Sequence, residues 1–133
     1  MENIIEMTEN EISKVIFDCG MKVHRTLGIG FFESVYEQCL EHELRKAGLK
    51  VERQKNITVI YDGIVIERAG RFDMLVEDKV IVENKTVSEI TKFDSWQTYH
   101  YLRATGLKLG MILNFHSLLF KDGVKRVVNG LEE

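Results

Sequence analysis

Glu83 and Lys85 lie two residues apart at the end of the apolar run Val80-Ile81-Val82-Glu83-Asn84-Lys85, so in an extended strand both side chains point to one face. An acid and a base on the face of a strand that is otherwise apolar are costly unless they are paired or bind something. Asp73, in Arg71-Phe72-Asp73-Met74-Leu75, is another acid among apolar neighbours. If the two strands turn back on one another at residues 77–79, partner numbers sum to about 156, which sets Asp73 opposite position 83. Adjacent carboxylates repel and raise one another's pKa unless a cation sits between them. A hard divalent ion takes such oxygen ligands and keeps positions open for water and a phosphate oxygen. Lys85 would then be the nearby ammonium, able to orient an attacking water or to neutralise charge developing on a phosphate. Spacing alone also allows a cross-strand network on a solvated face, with Lys85 simply paired to an acid and contributing well under ~1 kcal/mol. The second E-x-K, Glu77-Asp78-Lys79, falls at the turn and reads as a solvated tip.

Helical stretches bring further polar groups. Plotted at about 100° per residue, Phe32, Val35, Tyr36, Cys39, Leu40, Leu44 and Ala47 form one stripe, with Glu33 and Glu43 inside it. The two acids are ten residues apart, about 15 Å along a helix, and cannot share one metal ion. Glu33 falls in the first helical turn beside the Gly28–Gly30 loop, where close approach to a ligand is open to it; Glu43 reads as a structural ion pair, with Arg53 as candidate partner. Gln97 and Tyr101, four apart, share a helix face with Trp96 and Tyr99 nearby. A Gln and a Tyr beside a carboxylate site could position water or phosphate; packing at the core border explains the same spacing equally well. His24 and His100 have no ligand spacing and read as core-border residues.

These side chains need elements to hold them. Thr8 and Glu11 have capping-box spacing ahead of a helix whose apolar residues run from Ile12 to Leu27 and which Gly28-Ile29-Gly30 ends. A second helix is expected over 31–47, with Gly48 as its C-cap. Residues 51–61, then Asp62-Gly63, then Ile64 onward form a hairpin signal. Residues 80–87 make a third strand, 89–105 a third helix ended by Gly106, 109–115 a buried strand, and Lys125–Val128 a short edge strand. The order predicts one α/β domain over residues 1–133 with a mixed sheet.

Composition sets bounds on what this site can be. The 133 residues are 44% hydrophobic and 29% charged, within the range of ordinary globular proteins. The net charge of −3 excludes a histone-like bulk binder of nucleic acid. That total conceals two parts: residues 1–43 hold 3 basic and 9 acidic groups, and the remainder 15 and 12. No apolar run reaches the ~18 residues of a membrane span, and the acidic N-terminus lacks the pattern of a leader peptide, so a cytoplasmic location without membrane contact is expected. Cys19 and Cys39 lack CxxC spacing and read as reduced core residues.

Gly30-Phe31-Phe32-Glu33-Ser34-Val35-Tyr36 resembles the name-giving motif of the GxxExxY protein family, and the likeness extends through Asp62-Gly63, Arg71-Phe72-Asp73, Glu83-Asn84-Lys85, Gln97 to Tyr101, and Thr105-Gly106 to Asn114-Phe115. That family falls in the PD-(D/E)XK nuclease-like superfamily. The resemblance implies a core of helix, three-strand meander, helix and strand, here with an extra N-terminal helix. It implies Asp73 and Glu83 as ligands of Mg²⁺ or Mn²⁺, Lys85 as catalytic lysine, and Glu33 as an acid that completes the metal shell or acts through a water. Gln97 and Tyr101 match the Q-x-x-x-Y helix motif of the RecB-like branch; Gln97 joins the catalytic set, and Tyr101 and Arg71 are candidates for holding substrate. Asn84 departs from the pattern, which usually has an apolar residue there, and puts packing of the opposite sheet face in question. The expectation is a Mg²⁺-dependent nuclease acting on DNA before RNA. The alternative is a nuclease-fold module that binds nucleic acid or a protein partner without chemistry; either leaves room for a homodimer.

Overall fold

The computed structural model describes residues 6–132. Its elements are α1 (Glu9–Leu27), α2 (Glu33–Lys46), β1 (Val51–Tyr61), β2 (Ile64–Val76), β3 (Val80–Lys85), α3 (Lys92–Thr105), β4 (Leu109–Asn114), a short 3₁₀ turn (Phe120–Gly123) and β5 (Val124–Val128). The five strands form one sheet in the order β1-β2-β3-β4-β5; β3 and β4 are parallel and every other neighbouring pair is antiparallel. This is the mixed α/β architecture that the element order predicts. Among the described residues no helix is long and apolar enough to cross a membrane.

Alternation along the central strands feeds two cores. Met74, Val76, Val80, Val82, Leu109, Met111 and Leu113 pack with α1 and α2, while Leu75, Ile81 and Ile112 pack with Leu102 of α3. With helices on both faces, β3 and β4 are buried along almost their whole length, which is why both read as continuous apolar runs. Cys19 and Cys39 are free thiols, half-buried against the α1–α2 core.

The caps follow local chemistry. Thr8 caps α1 through the expected capping box with Glu11. The third helix starts at Lys92 instead of residue 89, because a second capping box, Thr91 with Asp94, fixes its N-terminus. The second helix starts at Glu33, two residues later than expected, and its C-cap is Ala47, with Gly48 following in the left-handed region. Its buried face is also rotated: Tyr36, Glu37, Leu40 and Leu44 are buried, whereas Phe32 is 83% exposed. Glu43 does form an ion pair, but with Lys22 at 3.1 Å and Lys46 at 3.7 Å; Arg53 binds Glu37 and Glu41. His24 sits at the core border as expected, against Phe120, but His100 is exposed.

The Asp62-Gly63 turn has positive φ at both residues, as a two-residue hairpin turn of the primed type requires. Between Ile57↔Gly70 and Val59↔Ile66 the register slips by two residues on β2, with Arg68 at φ +57°, and beyond this bulge nearly every side chain of the hairpin is exposed.

Candidate active site

The predicted register holds: Val76↔Val80, Leu75↔Ile81 and Met74↔Val82 all sum to 156. One step further, at Asp73 and Glu83, side chains take over from the backbone ladder. Asp73 Oδ2 accepts from the Asn84 amide at 2.8 Å, and Glu83 Oε1 accepts from the Asp73 amide at 3.3 Å. Each carboxylate is thereby tied by one oxygen to the neighbouring strand, and its other oxygen has no protein hydrogen-bond partner among the described residues. Two irregularities accompany this splaying. Gln54 on β1, which would face Asp73, has φ +53°, and Phe72 and Leu75 pack in the same core although they are three apart, so alternation breaks across Asp73.

Burial and like charge set the electrostatics. Glu83 is only 7% exposed; desolvation, then the Asp73 charge, pushes its carboxyl up to about 8, and Lys85 only partly offsets this. Desolvation likewise raises Asp73, with Glu37 adding to the rise and Lys85 and Arg71 opposing it. Glu33 lies at the surface, yet neighbouring protein desolvates its carboxyl enough to raise it, and Asp73 adds to the rise. The field at Glu33, Asp73 and Glu83 is thus shared, with Lys85 the cation common to all three.

The G-x-x-E-x-x-Y segment explains how Glu33 is held. Gly30 has φ +123°, a conformation closed to most side chains. Tyr36, fully buried and stacked on Phe115 at 4.8 Å, donates to the Gly28 carbonyl at 2.6 Å and accepts from the Phe31 amide at 3.3 Å. The tyrosine therefore pins the loop whose next turn carries Glu33. Glu37, one helical turn beyond, is a further acid that no motif singles out. It is buried and bound by Arg53 at 2.7 Å and by Gln54 at 2.9 Å. Its spacing to Leu40 and Leu44 on one face was the available signal.

From the other side of the sheet, α3 presents Asp94, Gln97 and Tyr101 at i, i+3 and i+7. Asp94 lies 3.9 Å from the Lys85 ammonium, a long contact. The Tyr101 ring lies over Gly70, where a Cβ would come within 2.8 Å of it. Gln97, half-buried, stands between these two on the helix and makes no side-chain hydrogen bond among the described residues. Arg71 is exposed two residues from Asp73 on the same strand.

Asp73 and Glu83 fit a hard divalent ion as two of its ligands, since each offers one unbonded oxygen and their mutual repulsion lacks full compensation from the protein. Among the described residues no three His, Cys, Asp or Glu side chains are grouped closely enough to hold one ion, so water would fill most of the shell. The profile of the PD-(D/E)XK nuclease superfamily matches residues 10–127 of the chain. No curated protein and no solved structure matches it.

Proposed function

This chain belongs to the PD-(D/E)XK nuclease superfamily, and from that premise we propose that it hydrolyses phosphodiester bonds of DNA with Mg²⁺ or Mn²⁺ bound between Asp73 and Glu83. The observation that carries the reading is the backbone-anchored pair Asp73 and Glu83, with Lys85 two residues on and its charge felt by both. An ion held there neutralises charge at the phosphoryl oxygens and lowers the pKa of a bound water. The chain's own groups do the rest. Lys85 orients the attacking water and balances charge that develops on phosphorus. Glu33 acts on the same site through a water, at a position fixed by the Tyr36 anchor. Gln97 and Tyr101 position water and phosphate from α3, and Arg71 contributes a guanidinium for a neighbouring phosphate. Placement within the GxxExxY family rests on the Gly30-to-Tyr36 motif.

Purified chain with Mg²⁺ or Mn²⁺ is expected to cut single- and double-stranded DNA faster than RNA. Lys85→Ala and Asp73→Ala are each expected to lower the rate by at least ~100-fold, the scale of losing one group that stabilises transition-state charge. Equal cleavage by wild type and both variants would identify a contaminant. Binding of nucleic acid with no cleavage under any metal would replace this reading with a non-catalytic module, alone or with a protein partner.

A further inference from the structure

Beyond Lys85 the surface opens into a cleft of about 450 Å³ between the segment after β3, the start of α3 and the segment joining β4 to β5. It adjoins the candidate active site directly. Asn114, on its wall, is the β4 partner of Lys85 in the strand register, and its side chain holds Val87 by two hydrogen bonds, at 2.8 and 3.1 Å. Thr91 and Ser95, also on the wall, flank Asp94, the residue nearest the Lys85 ammonium. Ser88, Ser117 and Asp122 line both this cleft and a second one of about 600 Å³ that reaches Ile29, in the loop leading to Glu33. The two clefts thus share a wall past the end of β3.

Trp96 forms part of the wall and is 61% exposed, which leaves its ring open to a ligand in the cleft. Lys92, one helical turn before Trp96, and Lys125 on β5 also line the cleft, and neither has an ion-pair partner among the described residues. Two acids, Glu89 and Asp122, offset them, so the cleft is not a strongly basic groove of the sort that grips duplex backbone from outside. An exposed aromatic face with two free ammonium groups suits a strand whose bases are unpaired, because an unpaired base can stack and a paired one is occupied by its neighbours.

We infer that this cleft holds a single-stranded stretch of nucleic acid, with a base stacked on Trp96 and its phosphates near Lys92 and Lys125, so that the strand leads to Lys85. The inference deepens the hydrolytic reading by naming the substrate form, and it rests on that reading for the direction of the strand.

Trp96 is the only tryptophan in the chain, so its fluorescence reports directly on the cleft. The full chain, in EDTA to prevent turnover, is titrated with a 12-mer of deoxyuridylate, a 12-mer of uridylate and a blunt DNA duplex. Saturable quenching by a single strand is expected, with at least ~10-fold weaker binding of the duplex; the tighter of the two single strands identifies the sugar. By anisotropy of a labelled 12-mer, Trp96→Ala should weaken binding about 10-fold or more, as stacked aromatics do, while Trp96→Phe stays within about threefold. Two lysine contacts predict only about a sevenfold loss between 50 and 200 mM salt. Duplex binding as tight as single strand, or an unchanged affinity in Trp96→Ala, overturns the inference. Single-strand binding without metal-dependent cleavage would support the cleft and sink the hydrolysis. Unimpaired cleavage of duplex by Trp96→Ala would do the reverse.

Discussion

Glu83 carries the clearest consequence for behaviour in solution. Its carboxyl is raised to about 8 and those of Asp73 and Glu33 are raised as well, so the folded chain holds protons that the unfolded chain has lost. For Glu83 that contribution is fully present below the ordinary carboxylate range and is lost as pH rises toward about 8, at up to ~1.4 kcal/mol per pH unit, and Asp73 and Glu33 act in the same direction. Urea unfolding at pH 5, 7 and 9 should show wild-type stability falling with pH, and Glu83→Gln should flatten that fall. Identical slopes would mean that Glu83 is ionised at neutral pH. Asn84 gives a second prediction. It is fully buried, and among the described residues its Nδ2 reaches only the Met74 sulfur at 3.4 Å and its Oδ1 has no partner. Asn84→Leu removes that orphaned oxygen while keeping the backbone amide that holds Asp73, so it should stabilise the chain by about 1 kcal/mol, read as a higher Tm. A lower Tm would mean that Oδ1 has a partner in solution. The Asp73–Glu83 pairing was legible in the sequence because strand register is arithmetic once the turn is placed. Glu37 was harder to read, because it sits at the margin of an apolar stripe: its spacing to Leu40 and Leu44 is a weak signal, and the Arg53 and Gln54 contacts that account for its burial come from β1.

Among the elements, α3 sets the far wall of the site and lies close against the sheet, through Tyr101 at Gly70 and Thr98 at Gly110. A Cβ on Gly110 of β4 would fall 2.5 Å from Thr98 Cγ2, and both residues are buried. Gly110→Ala should push the helix off the sheet, cost about 1–3 kcal/mol in chemical denaturation, and lower cleavage by displacing Gln97 and Tyr101. Unchanged stability would show that Thr98 yields freely. Element order and strand pairing were readable because β3 and β4 are apolar runs and the turns carry Asp62-Gly63 and Gly106. The true start of α3 was obscured by Ser88-Glu89-Ile90, residues that a helix tolerates but that stand before the Thr91–Asp94 cap. Phe32 misleads in a similar way, since it is apolar but occupies the N-cap outside the packed turns, and the buried face of α2 centres instead on Tyr36, Glu37, Leu40 and Leu44.

For the whole molecule, the outer hairpin shows where reading from sequence stops. Ile60, Tyr61, Ile64, Val65 and Ile66 have strong strand preference and form strands, yet all are exposed, because the bulge at Arg68 carries the hairpin beyond the helices that cover the rest of the sheet. Propensity describes a strand; whether a helix covers it depends on the path of the entire chain. Charge follows the same logic. The net −3 argues against a coat of nucleic acid, but the fold gathers Glu33, Asp73, Glu83 and Lys85 around the β2–β3 pair, where one divalent ion would alter the local balance more than the total suggests. Crystals of the chain soaked in Mn²⁺ test the proposed ion most directly. Anomalous density is expected between the unbonded oxygens of Asp73 and Glu83 and absent from Asp73→Ala crystals; saturating Mn²⁺ with no density between them, or with density only elsewhere, would contradict metal binding by this pair.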